Sequence, residues 1–156
     1  FIMKVYRVEY HQVIKAPMQQ VWDFFSAPAN LSKITPPQMN FRILEMQGDK
    51  MFAGQIIRYK VTVLPFIRVG WTTEITEVES GVTFVDEQRK GPYRQWRHRH
   101  TFRQIDEGVE MTDVVEYAIP FGFLGRLANF LFVAREVKRI FAYRFQVVEK
   151  LFNQSL

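Results

Sequence analysis

The chain has 156 residues, 47% of them hydrophobic, with 15 Phe, 6 Tyr and 3 Trp. That length suits one domain over residues 1–156, and so many rings imply a large core or an apolar cavity lined with them. The absence of cysteine excludes disulfides, thiolate nucleophiles and Cys-ligated metals. No charge-free run approaches a membrane span and no signal-peptide pattern is present, so a cytoplasmic protein is expected. The net charge is +5, with a pI of about 9.6. Much of the excess lies between Arg89 and Arg103, which has six basic residues and no acid, and in the last segment, from Arg126 to Lys150. Such a surface suits nucleic acid, an anionic membrane or an acidic partner, or is a solvated outer face. No stacking rings interleave on that outer face, so no nucleic-acid partner is expected.

In chain order, Lys4 to Ile14 alternates as a strand, with Tyr6, Val8, Tyr10, Gln12 and Ile14 inward and Arg7, Glu9 and His11 outward. Ala16-Pro17 opens a short helix over Met18–Ser26, and a second short helix, Ala29–Ile34, is closed by Thr35-Pro36-Pro37. Six further strands follow: 40–46, 55–64, 67–78, 82–89, 93–105 and 109–119. Pro65-Phe66, Glu79-Ser80-Gly81, Lys90-Gly91-Pro92 and Asp106-Glu107-Gly108 are the turns. Short turns between consecutive strands imply an antiparallel meander. From Phe123 to Phe152 the pattern is one long helix, spanning about 45 Å at 1.5 Å per residue. Its expected inner stripe is Leu124, Leu127, Leu131, Ala134, Val137, Phe141, Phe145, Val148 and Phe152. Phe130, Phe132 and Val133 lie off that stripe. They suit either packing on the short helices or a gate of rings, hinged at Phe121-Gly122-Phe123.

The fold class is therefore α+β. A seven-stranded curved antiparallel sheet surrounds a long C-terminal helix, with two short helices between strands 1 and 2, the helix-grip arrangement. The residues Ala16-Pro17, Val21-Trp22, Phe24-Phe25, Pro28-Ala29-Asn30-Leu31 and Ile34-Thr35-Pro36-Pro37 continue in this sense. So do Phe84, Asp86, Gln88, Gly91-Pro92-Tyr93, Trp96, His98, His100, Thr112-Asp113, Glu116-Tyr117, Pro120-Phe121-Gly122 and Leu124-Gly125. In these the chain resembles the START-like superfamily of ligand-binding domains, also called SRPBCC or Bet v 1-like. Within it, the chain is similar to a bacterial single-domain family of unassigned activity. The resemblance implies a deep cavity between sheet and helix for an apolar small molecule. It brings no catalytic residue with it. Some relatives resemble fusions to a nucleotide-binding epimerase-like domain, but this chain has no G-x-G-x-x-G motif, and no cofactor is expected.

Parity sorts the sixth strand into Gln95, Arg97, Arg99, Thr101 and Arg103 on one face, and Arg94, Trp96, His98, His100 and Phe102 on the other. Five polar or cationic groups cannot face a core cheaply, so the second face is inward. The seventh strand then presents Met111, Asp113 and Tyr117, and the fifth Phe84, Asp86 and Gln88. Sharing a face between Asp113 and His100 requires a one-residue bulge if Asp106-Glu107-Gly108 is a three-residue loop. The ligand-binding set is Tyr59, Trp71, Asp86, Gln88, Arg94, Trp96, His98, His100, Phe102, Met111, Asp113, Tyr117 and Phe130. Three chemistries fit its polar members. They are satisfied structural groups, with His100 and Asp113 as a pair. They are a floor that orients an apolar lipid-like, aromatic or polyketide-like ligand. Or His98, His100 and Asp113 are acid–base residues of a cyclase or dehydratase, by analogy of fold. His98-x-His100 also has a metal-ligand spacing, but two-residue spacing is common and no metal is expected. Ligand binding without established catalysis is the preferred reading.

Overall fold

The computed structural model describes residues 3–64 and 66–154. Seven strands form one sheet: β1 Tyr6–Ile14, β2 Arg42–Met46, β3 Ile56–Leu64, β4 Ile67–Glu79, β5 Thr83–Lys90, β6 Gln95–Ile105 and β7 Gly108–Ala118. The order is β1-β7-β6-β5-β4-β3-β2, and every neighbouring pair is antiparallel. Strands 2 to 7 are thus the expected meander, and β1 closes it beside β7. Helix α1, Met18–Phe25, and two 3-10 turns, Pro28–Ile34 and Pro37–Met39, fill the crossover from β1 to β2. Of the turn expected at Pro65-Phe66, Pro65 lies outside the described residues. Among the described residues, no helix is long and apolar enough to cross a membrane.

The C-terminal helix is continuous but not uniform. It runs as α2 Gly122–Ala128, a π turn Asn129–Val133, α3 Ala134–Val148 and a second π turn Glu149–Asn153. Its buried side is Gly125, Asn129, Val137, Phe141, Arg144 and Val148, with Val133 partly buried. The expected stripe is therefore wrong in the first half, where Leu124, Leu127, Leu131 and Ala134 face outward, and at Phe145, which is also exposed. Every fourth residue from 125 to 137 faces in. A regular α-helix would drift by about 40° over each such step, and the wider π turn offsets that drift. Gly125 sits inside because a Cβ there would lie 2.0 Å from the Pro120 carbonyl oxygen. Asn129 sits inside because its Oδ1 accepts the Tyr117 hydroxyl at 2.8 Å.

The hydrophobic interior has two parts. One gathers Val21, Trp22, Phe25, Ile75, Phe84, Phe102, Met111 and Val148, and the other Val115, Tyr117, Val137 and Phe141. Along β7 these parts are separated by Asp113, and along β6 by His98 and His100. The register His100↔Asp113 follows from Ile105↔Gly108, so the turn contains only Asp106 and Glu107. The expected face assignment holds, and the bulge invoked for it is absent. A two-residue turn does the same work.

Gly108 makes this hairpin possible. Its φ is +140°, and an added Cβ would lie 2.2 Å from the Ile14 carbonyl oxygen on the neighbouring strand. Backbone cannot yield as a flexible side chain does. Gly108→Ala is expected to destabilise by about 2 kcal/mol or more. Gly70→Ala, with nothing within 4 Å of the new Cβ, is expected to stay within about 0.5 kcal/mol. Urea unfolding of both variants checks the contrast.

Candidate functional site

Alternation along β6 aims His98 and His100 at α3, and the register brings Asp113 of β7 beside His100 and Asp86 of β5 beside His98. The contacts then run diagonally. His98 Nε2 meets Asp113 Oδ1 at 2.7 Å, and His100 Nε2 meets Asp86 Oδ2 at 2.7 Å. The two imidazoles stack, with centroids 3.6 Å apart. Arg144 of α3 enters from above. Its Nη2 lies 3.3 Å from Asp113 Oδ1 and 3.3 Å from His100 Nδ1, which itself meets Asp113 Oδ1 at 3.1 Å. Its guanidinium also lies over the Phe25 and Phe141 rings. A cation on a helix otherwise rich in exposed basic residues is here only 8% exposed.

Charge follows from burial and pairing. Burial, then the neighbouring His100, pushes the His98 imidazole down to about 4, against the opposing pull of Asp113 and Asp86. His98 is therefore neutral at pH 7, with its Nε2–H donated to Asp113 and a lone pair on Nδ1. Burial by itself would raise both carboxyls. The Arg144 charge, with hydrogen bonds from His100 and His98, holds Asp113 well below the usual carboxylate range. The His100 hydrogen bond and the charges around it lower Asp86. His98 Nδ1 and Asp86 Oδ2 are 3.8 Å apart. With His98 neutral and Asp86 ionised they are two acceptors side by side.

Both groups border a cavity of about 180 Å³ between the sheet and α3. Its wall is a run of touching rings: Phe41 on Tyr59, Tyr59 on Trp71, and Trp71 against Tyr93 and Trp96. Ile57, Val61, Ile75, Ile140 and Phe141 complete the apolar lining, and Arg144 and Glu136 line it from the helix. Leu31, Met39 and Phe41 are partly exposed on one side and Glu136 and Ile140 on the other, so the cavity opens between them. The indole N–H of Trp71 and Nε of Arg144 are buried with no partner among the described residues.

Of the expected site residues, Tyr59, Trp71, Asp86, Trp96, His98 and His100 line this cavity. Asp113 lies under the two histidines rather than in the lining. The others fall elsewhere. Arg94 precedes β6 and is exposed, because the turn releases it from the strand's alternation. Gln88 braces that turn, donating to the Tyr93 carbonyl at 2.7 Å and accepting the Tyr93 N–H at 3.0 Å. Phe102 and Met111 are packed into the first core region, and Tyr117 into the second. Phe130 is 83% exposed and far round the helix from the lining, so it is neither a cavity residue nor a gate over it. Arg144, Phe41 and Tyr93 were missed. For Arg144 the signal was available: residues 137, 141, 144 and 148 share one face at helical spacing.

Asp86, His98 and His100 each offer one ligating atom, all within 4.8 Å of one another. Stacked imidazoles send their lone pairs side by side rather than to one point, and His100 Nε2 is already hydrogen-bonded to Asp86. Coordination of a tetrahedral ion would require the rings to turn apart.

The depressed His98 pKa sets a pH dependence. From about 6.5 down to about 4, the unfolded chain takes up a proton that the folded chain refuses. Stability is therefore full above that window and falls as pH drops through it, by roughly 3 kcal/mol in total. Below it, protonation of Asp86 and Asp113, whose folded pKa values are also lowered, removes more. Urea unfolding from pH 7 to pH 4.5 should show this loss. His98→Gln should flatten it, and an unchanged slope in that variant would contradict the assignment.

The family profile described as "Polyketide cyclase / dehydrase and lipid transport" matches residues 14–146. Solved structures share the fold at low identity. The ZhuI aromatase/cyclase from Streptomyces sp. R1128 superposes with a TM-score of 0.72 at 17% identity, covering 93% of this chain and 92% of that one. Protein CV1439 from Chromobacterium violaceum gives 0.70 at 14%, covering 96% and 99%. Ara h 8.0201 gives 0.63 at 12%, covering 95% and 97%. No curated protein matches the sequence. A helix-grip sheet, a ring-lined cavity beneath the helix and this match converge: the chain belongs to the polyketide cyclase/dehydrase and lipid transport family, within the START-like, Bet v 1-like superfamily.

Proposed function

We propose that the chain, acting as a single ligand-binding domain, binds a small aromatic molecule bearing a hydroxyl group. The observation that carries this is the pair of acceptors, Asp86 Oδ2 and His98 Nδ1, on the floor of a wall of rings. A hydroxyl placed there donates to His98 Nδ1 or to Asp86 Oδ2, which also accepts the His100 Nε2–H. The Trp71 N–H and Arg144 Nε are then available to an acceptor elsewhere on the ligand. Size supports a compact ligand. An apolar cavity of about 150 Å³ holds benzene, whereas drug-sized ligands need about 300–1,000 Å³. At about 180 Å³, one substituted ring fits without movement of the helix.

A cyclase or dehydratase activity is the second reading, supported by the family description and by the His98–Asp113 pair. A general base works best with a pKa near the working pH. At about 4, His98 is a weak one, which favours binding.

The test compares 4-propylphenol with propylbenzene. Both should raise the melting temperature by mass action, and the phenol should bind about tenfold more tightly through one added hydrogen bond. Asp86→Ala should remove most of that preference while keeping propylbenzene affinity. Binding of neither compound would sink the proposal. His98→Gln should cost the phenol about 1 kcal/mol of affinity. Unchanged affinity with a turnover loss of roughly 10²-fold, on a substrate that the protein converts, would establish the enzyme reading instead.

A further inference from the structure

The outer face of the C-terminal helix is apolar where it begins. Phe123, Leu124, Leu127, Phe130 and Leu131 form one outward stripe, with Phe121 and Phe132 beside it. All seven are exposed, Phe121 and Phe130 to more than four-fifths. The inner face is already fixed by Gly125 against Pro120 and by Asn129 on Tyr117. Rotating the stripe inward would break both contacts. Phe121 holds a φ of +73° with its ring in solvent, a conformation uncommon for an aromatic residue. An unpartnered patch of this kind marks an interaction surface.

The charges beside it select the partner. A groove of about 600 Å³ at the start of the stripe is bordered by Phe121, Phe123, Lys4, Arg94 and Arg126, and its lining contains no acidic side chain. None of these three cations forms an ion pair among the described residues, although Lys4 lies over the Tyr6 ring. No acidic residue occurs from Ile119 to Arg135, and the next turns add Arg135, Lys138 and Arg139 against one Glu136. A second copy docked on this face by two-fold symmetry would set these cations near their own counterparts. A surface that is apolar within and negative at its boundary fits both features.

We propose that residues 121–132 lie in the plane of an anionic phospholipid bilayer, with Lys4, Arg94 and Arg126 on the lipid phosphates. This is the geometry of an interfacial helix, which buries an apolar stripe at headgroup depth and is held by flanking Lys and Arg. The next turns of the same helix, through Glu136, Ile140 and Phe141, border the cavity. The docked segment and the cavity wall are thus one continuous helix, joined by the π turn Asn129–Val133.

Flotation with phosphatidylglycerol and phosphatidylcholine vesicles tests this on the full chain. Binding should be to the anionic vesicles, and should weaken several-fold on raising salt from 50 to 300 mM. The double variant Phe123→Ser/Phe130→Ser replaces two exposed rings and should keep the melting temperature while losing at least tenfold in vesicle affinity. Lys4→Glu/Arg126→Glu should do the same. No binding to either vesicle, equal binding to both, or undiminished binding of the serine variant would overturn the proposal. So would a dimer abolished by the serine variant without vesicle binding. None of these outcomes depends on what occupies the cavity.

Discussion

A single carboxylate oxygen, Asp113 Oδ1, stands within 3.3 Å of His98, His100 and Arg144. Buried on β7, an isolated carboxylate would cost several kcal/mol, so the fold has to bring it compensation. It does so from two directions: the histidines come along the sheet from β6, and the arginine comes down from α3. The same contacts therefore fasten helix to sheet at the middle of the molecule. On either side, hydrophobic packing takes over. Removing one partner would leave the rest uncompensated, which is why the network acts as a unit.

That constraint also shapes the cavity. Arg144 is drawn to Asp113, and α3 is held where its Ile140 and Phe141 face the rings of β3, β4 and β6. Asp86 is the one member of the network that keeps a fifth of its side chain exposed. It is the point at which this buried set of charges reaches the cavity.

The beginning of the C-terminal helix is governed by different physics. Its inner side is small or polar, with a glycine for close approach and an asparagine for one hydrogen bond. Its large apolar residues are left outward. Stability of this segment rests on few contacts, which suits an element whose second partner is another phase. The two halves of one helix thus present different surfaces, and the π turn between them keeps the inner face in line.

Composition and periodicity were sufficient for the strands, because period-two alternation and short turns leave little freedom. They also placed His98, His100 and Asp86 inward together, since five cationic or polar neighbours on β6 could go only outward. The limits lay where three-dimensional contact reverses a residue's usual preference. Arg144 reads as solvated until a buried carboxylate is found opposite it. Gly125 and Asn129 fall outside any apolar stripe, and only Pro120 and Tyr117 show why they face inward. Leu124, Leu127 and Leu131 read as core for the complementary reason. Arg94 fails more simply: alternation carries no information once the strand has become a turn. The sequence by itself determined the order of elements and which face of each strand is buried, because those depend on neighbours a few residues apart. The tertiary structure alone decided which side of the long helix is inside, which charges meet and how much space remains between them. Those depend on groups tens of residues apart, whose pairing can outweigh the hydrophobicity of any one side chain.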